Sequence, residues 1–200
     1  ETTHDGRSVM TFTDSKTMNQ GDRAKRFLSV LNWVHTQLGL NVVPIVEMDA
    51  LRSLPPDSLG RAWANHLAEH DLEPFEHGPR RQQLHDGVHV LTGYSTDLIG
   101  EAAVQAFLLG AKWRLAHVLL LAGLLRGLAR QRRANVNALS HGEVQSRLKT
   151  AYRRGQQSGF DLDTWQPEHL WEMPLVEVRS RLGISTSPEP SFVLSRQANP

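Results

Sequence analysis

The chain has 200 residues, with 22 basic against 21 acidic, a formal net charge of +1 and 40% hydrophobic residues. This is ordinary globular material for one domain. It excludes a disordered chain, a collagen-like fibre, a coiled-coil rod and any bulk field drawing in nucleic acid.

With no cysteines there is no disulfide framework, no thiolate zinc site and no cysteine nucleophile, whereas ten histidines supply ligands suited to neutral pH. In chain order, Glu1 to Gly6 lacks a basic-then-apolar signal pattern, and residues 1–22 are expected to be poorly ordered. Arg23–Leu38 reads as a helix with Phe27, Leu31, Val34 and Leu38 on one face and Gly39 as its stop. Asn41–Val46 is a short strand-like run. Pro55 and Pro56 break the chain, and Asp57 or Ser58 caps a helix over Leu59–His70. Pro74–Pro79 is a loop. Arg80–Thr92 is helical and ends at Gly93; a link over Tyr94–Thr96 leads into a helix over Asp97–Leu109.

From Gly110 a helical pattern continues to near Arg133. Its stretch Leu115–Leu125 is apolar nearly all round, which suits a core helix first, and an interface or a lipid-facing helix otherwise. It is well short of the roughly 20 residues that span a bilayer. Ser140 and Glu143 have capping-box spacing and open a helix with Val144, Leu148 and Tyr152 on one stripe; Gly159 ends it. Pro167 and Pro174 sit at first-turn positions, Gly183 closes a short last helix, and residues 185–200 are expected to form a mobile tail. The basic groups Arg126–Arg133 and Lys149, Arg153, Arg154 read as solvated faces, and no nucleic-acid partner is expected. The fold class is all-α: a single-domain helical bundle of about six to eight helices over residues 23–184.

The segment that carries chemistry is His85-Asp86-Gly87-Val88-His89, followed after eleven residues by Glu101. On a helix, positions 85, 86 and 89 share an arc of about 100°. The short link after Gly93 folds the next helix back as a hairpin, which brings Glu101 towards His89 and Asp86. Two imidazoles and two carboxylates suit Zn²⁺, and also Fe²⁺ or Mn²⁺. A helix-end histidine pair that only makes hydrogen bonds, with Asp86 and Glu101 solvated, fits the same spacing. His66 to His70 matches the H-x-x-E-H order of an inverted zinc-protease motif, and reads more simply as the polar face of a helix. A third arrangement is an H…HD…D phosphohydrolase, with His85 and Asp86 as its central pair, His66 or His70 upstream and Asp161 or Asp163 as the distant acid. Beside the cluster, Phe107, Leu108, Trp113, Leu119 and Leu120 are candidates to line an apolar channel for a hydrocarbon tail, with Gly110, Gly123 and Gly127 allowing close approach.

The pattern H-D-x-x-H-x(11)-E at 85–101 resembles the ubiquinone (coenzyme Q) biosynthesis protein 4 family. The match continues in Leu54-Pro55-Pro56-Asp57-Ser58-Leu59-Gly60-Arg61, in Val90-Leu91-Thr92-Gly93-Tyr94, in Trp171-Glu172-Met173-Pro174 and in Val178 to Ile184. It covers roughly Glu47–Ile184. The resemblance implies an all-helical fold with His85, Asp86, His89 and Glu101 as ligands to a divalent metal, usually zinc. It implies action on a polyprenylated hydroxybenzoate: removal of the ring carboxyl at C1 with hydroxylation, Asp86 and Glu101 being the catalytic candidates. It also implies a scaffold role among quinone-biosynthesis enzymes at a membrane surface. A homo-oligomer is expected, cytoplasmic and peripheral to the membrane, or on the matrix side of the mitochondrial inner membrane in a eukaryote. A non-catalytic carrier of prenyl lipids with a vestigial metal position is the alternative.

Overall fold

The computed structural model of the chain describes residues 42–75, 77–134 and 139–185. They belong to a unit spanning 41–200. The described residues form eight α-helices and one 3₁₀ turn: α1 (Met48–Arg52), α2 (Leu59–Glu69), α3 (Arg80–Gln83), α4 (His85–Thr92), α5 (Leu98–Ala111), α6 (Leu115–Ala134), α7 (His141–Gln157), the turn Pro167–His169 and α8 (Leu175–Arg181). The fold is all-α, as the periodicity predicts. The strand-like run Asn41–Val46 is not a strand over its described residues 42–46, which are irregular, and α1, too short for a periodic signal, follows after Glu47. The expected helix Arg23–Leu38, the segment 1–22 and the tail beyond residue 185 lie outside the described residues.

Local chemistry sets the helix starts. Ser58 caps α2: its Oγ accepts from Arg61 N–H at 3.2 Å and donates to the Pro55 carbonyl at 2.7 Å. The next two amides of α2 donate to the carbonyls of Met173 and Trp171, at 2.8 and 2.9 Å, so the segment before α8 completes this helix end. Asp97 caps α5 through Gly100 N–H, and Ser140 with Glu143 forms a capping box on α7. Arg80 to Thr92 is broken only at Leu84, which separates α3 from α4.

Helix α5 is the central element, packed against both α6 and α7. The α5–α7 crossing is close because each helix places a glycine at the contact. A Cβ on Gly155 would strike the carbonyl of Phe107, and one on Gly110 the carbonyl of Tyr152. The buried stripe of α7 therefore runs through Val144, Leu148, Ala151 and Gly155. Tyr152, expected on that stripe, is turned outward. Trp63 of α2 is fully buried at the centre of an aromatic group. It stacks on Trp165 at 5.8 Å and meets Trp171 edge-on at 5.2 Å, while Phe160 meets Trp165 edge-on. Gly87 of α4 lies against this group, and a Cβ there would overlap the rings of Trp63 and Trp165.

Helix α6 departs from the expected core position. Only His117 and Leu128 are buried on it, and Leu115, Leu119, Leu120 and Leu125 are exposed. A polar clasp holds its start. Arg81 of α3 donates through Nη2 to His117 Nε2 at 2.8 Å, so His117 Nδ1–H donates to Gln105 Oε1 at 2.9 Å. Asp163 pairs with Arg81, Lys112 and Arg114, and Asp161 with Lys112. These contacts fix the Lys112–Arg114 break between α5 and α6 onto the 161–163 loop. Burial, reinforced by the Arg81 guanidinium, lowers the His117 pKa to about 4 and keeps the ring neutral.

Two outcomes are expected. Gly87→Ala forces the α4 backbone away from Trp63 and Trp165 and destabilises the fold by about 2–3 kcal/mol, read from the urea midpoint. The depressed pKa of His117 means that the unfolded chain takes up its proton first. Stability is therefore full above the ordinary value of 6.5 and is lost as pH falls towards 4. His117→Gln is expected to flatten this loss, by on the order of 3 kcal/mol at about pH 4, in urea titrations across that range. An unchanged acid slope would remove His117 as its source.

Candidate metal centre

The site is built on the α4–α5 hairpin. Gly93, in the left-handed region at φ 75°, ends α4, and its N–H donates to the His89 carbonyl at 2.7 Å. The last carbonyls of α4 are taken up by two arginines from distant segments. Arg179 donates to Leu91 and Val90, at 2.9 and 2.8 Å, and Arg154 donates to Thr92 at 3.1 Å. Arg154 is itself buried and lies over the Tyr94 ring at 4.9 Å. It is thus not the solvated residue that its place beside Lys149 and Arg153 suggests. The turn directs the Tyr94 carbonyl back at His89, whose Nδ1–H donates to it at 3.0 Å. That bond fixes the ring orientation and leaves Nε2 facing the cleft.

Three donor groups meet there. His85 Nε2 lies 3.1 Å from Glu101 Oε2, His89 Nε2 lies 3.2 Å from Glu101 Oε1, and the two Nε2 atoms are 3.3 Å apart. Bonds of about 2.0–2.1 Å to a tetrahedral ion separate neighbouring donors by about 3.3–3.4 Å. The three atoms therefore have the spacing of three corners of such a shell, and no fourth donor joins the set among the described residues. His89 is fully buried, whereas the side chains of His85 and Glu101 are each a little over a quarter exposed, so the cluster opens to solvent on their side.

Electrostatics binds the trio together. Burial would raise the Glu101 carboxyl, but hydrogen bonds from His85 and His89 outweigh it and bring the pKa down to about 2. Burial would lower His89, yet Glu101, the Tyr94 carbonyl and Asp86 reverse the sign and raise it. Asp86 is buried beside the three, outside the set whose donor atoms converge. Burial pushes its carboxyl up against the pull of His85 and His89.

The structure also places His66 of α2 in this neighbourhood. Its ring lies parallel to that of His89, with centroids 5.8 Å apart, and edge-on to His70 at 4.7 Å. The two histidine motifs of the sequence thus form one cluster, which among the sequence readings only the phosphohydrolase arrangement joins. Burial, with His70 and His89 adding, lowers the His66 pKa to about 4. His70 lies at the exposed edge, 3.3 Å from Thr96 Oγ1. Asp161 and Asp163, needed by the phosphohydrolase arrangement, are held by Lys112, Arg81 and Arg114 instead of standing beside His85 and Asp86. The five residues expected to line a hydrocarbon channel are not brought together. Phe107 and Leu108 are buried in the core, Phe107 completely and against Phe160, whereas Trp113, Leu119 and Leu120 are 69%, 64% and 51% exposed.

Comparison with known proteins matches residues 16–188 to the family model described as Coenzyme Q (ubiquinone) biosynthesis protein Coq4. The ubiquinone biosynthesis protein COQ4 homolog, mitochondrial, of Rattus norvegicus is 27% identical over 158 residues, 72% of this chain and 57% of the rat protein. The homolog of Drosophila ananassae is 26% identical over 189 residues, 84% of this chain and 63% of its own. The chain thus spans a little over half the length of the rat relative. A crystal structure from Nostoc punctiforme that carries a ubiquinone-biosynthesis designation superposes with a TM-score of 0.59 over 78% of this chain and 75% of that one, at 22% identity, and shares the fold.

Proposed function

The chain belongs to the Coenzyme Q (ubiquinone) biosynthesis protein Coq4 family, and we propose that His85, His89 and Glu101 hold one divalent cation that receives the head group of a polyprenylated hydroxybenzoate. The observation that carries this reading is the 3.1–3.3 Å spacing of the three donor atoms, on a cluster that opens to solvent beside His85 and Glu101. Zinc suits the two-nitrogen, one-oxygen set best, and Fe²⁺ or Mn²⁺ also fit. Such an ion supplies Lewis acidity towards a carboxylate or phenolate oxygen.

The protein's own groups do the rest. Glu101, kept ionised by two imidazoles, and His89, oriented by the Tyr94 carbonyl, define where the head group sits. Asp86, whose carboxyl burial raises, stands beside them as the candidate proton donor. In the proposed loss of the ring carboxyl, the bond from C1 breaks, its electron pair stays on the ring and CO₂ leaves. Asp86 then delivers a proton to the vacated carbon. Hydroxylation at that carbon is a separate oxidation, which takes O₂ together with two electrons and two protons from an external two-electron reductant: one oxygen atom enters the C–H bond and the other leaves as water.

The prenyl tail is assigned to the lipid side of α6. Trp113, Leu115, Leu119 and Leu120 are exposed at one end of this helix, and Arg126, Arg130, Arg132 and Arg133 follow on its exposed remainder. Apolar side chains beside a basic run suit the surface of an anionic membrane. No helix among the described residues is long and apolar enough to cross one.

Elemental analysis of the native protein is expected to give one metal ion per chain, and His89→Ala none. Because Glu101 raises the His89 pKa, uptake weakens as pH falls through the range in which His89 takes a proton. Incubation with a prenylated 4-hydroxybenzoate is expected to release CO₂, and Glu101→Gln or Asp86→Asn to slow release by about 100-fold or more. A variant without metal that still turns over would remove the site. Lipid binding that survives both carboxylate changes, with no CO₂ from the native chain, would make the protein a carrier. Replacing Leu119 and Leu120 by Glu is expected to abolish sedimentation with anionic liposomes while metal content stays unchanged; persistent sedimentation would place the membrane contact elsewhere.

A further inference from the structure

We infer that His66 is a fourth functional side chain of this centre, which hydrogen-bonds through Nε2 to the oxygen of the ligand at the fourth corner of the shell; the inference rests on the metal reading above. Three observations combine. The His66 ring is aligned with that of His89, 17° from parallel, with centroids 5.8 Å apart. Its Nε2 is buried and has no hydrogen-bond partner. Its nitrogens also fall outside the set of donors that all lie within 4.8 Å of one another, so it is placed beside the ion rather than on it.

A buried imidazole nitrogen without a partner is unfavourable and uncommon in a folded protein, and is explained most simply by a group absent from the protein alone. His66 is reached from a separate helix, whose start is tied to Met173 and Trp171. It therefore approaches the cleft from a direction that the α4–α5 hairpin does not supply. A hydroxybenzoate held by one carboxylate oxygen on the ion leaves the second oxygen free to pair with this nitrogen. A purely structural histidine would owe its place to the stack on His89, and a phenyl ring reproduces that stack without the nitrogen.

The test uses the full chain loaded with Co²⁺, whose visible absorption reports the ligand sphere, titrated with 4-hydroxybenzoate. His66→Phe is expected to retain cobalt stoichiometry and the ligand-free spectrum but to lose about tenfold or more in affinity for 4-hydroxybenzoate. His66→Gln, which keeps a polar group, recovers part of the loss. Unchanged affinity in His66→Phe overturns the inference and leaves the metal reading standing. Loss of cobalt from His66→Phe also overturns it, because His66 would then act on the ion or the fold. A native spectrum that 4-hydroxybenzoate leaves unaltered overturns it as well, and a native chain that takes up no cobalt overturns both readings.

Discussion

The centre depends on one hydrogen bond, from His89 Nδ1 to the carbonyl of Tyr94. It decides which nitrogen of a fully buried ring faces the cleft, and it exists only because the chain reverses at Gly93 immediately after α4. Glu101 can then reach both imidazoles with its two oxygens, because Asp97 fixes the start of α5 and so the height at which Glu101 emerges. A carboxylate between two imidazoles is a self-consistent unit without metal: hydrogen bonds from His85 and His89 hold Glu101 ionised, and Glu101 raises His89. The same arrangement suits a cation, since both nitrogens and one oxygen already lie at the spacing a small ion requires.

That unit is held by parts of the chain remote in sequence. Arg179 and Arg154 satisfy the carbonyls at the end of α4, where a helix terminus beside a buried turn would otherwise leave acceptors unpaired. Both cations also sit at the negative end of the helix dipole, which favours them there. On its other side, α4 approaches Trp63 and Trp165 through Gly87, which lies between His85 and His89. The motif is thus both chemical and structural. Two of its positions supply nitrogens, one supplies a buried acid, and the residue without a side chain lets the helix reach the aromatic core.

How much of this is legible in the sequence follows from the range of each interaction. The meeting of His85, His89 and Glu101 is legible because helical periodicity and a three-residue link leave one geometry for the hairpin. The caps at Ser58 and Ser140 are legible for the same reason, being set within four residues. His66 is legible only as one of two upstream candidates of the phosphohydrolase arrangement, because its approach to His89 depends on how α2 packs, and its own neighbourhood reads as an ordinary polar face. Arg154 and Arg179 are hidden likewise: capture of a distant carbonyl leaves no periodic mark, and Arg154 stands in a basic cluster whose other members are exposed. The five residues of α1 are too few for a pattern to be recognised.

Helix α6 shows where composition misleads most. An apolar run suits burial, yet burial needs a partner surface, and α5 packs more extensively on α7 than on α6. The crossing of α5 with α7 uses paired glycines and is as close as backbones allow, so the more intimate contact goes to the helix with the more polar sequence. Helix α6 is left to lie on α5 through Leu121, Leu124 and Leu128, with its remaining leucines outward. The clasp of Lys112, Arg114 and His117 on Arg81, Asp161 and Asp163 then acts as the tether that a thin apolar contact requires. The outward leucines are consequently no part of the core that the described residues form, which is why an apolar run alone does not place a helix inside.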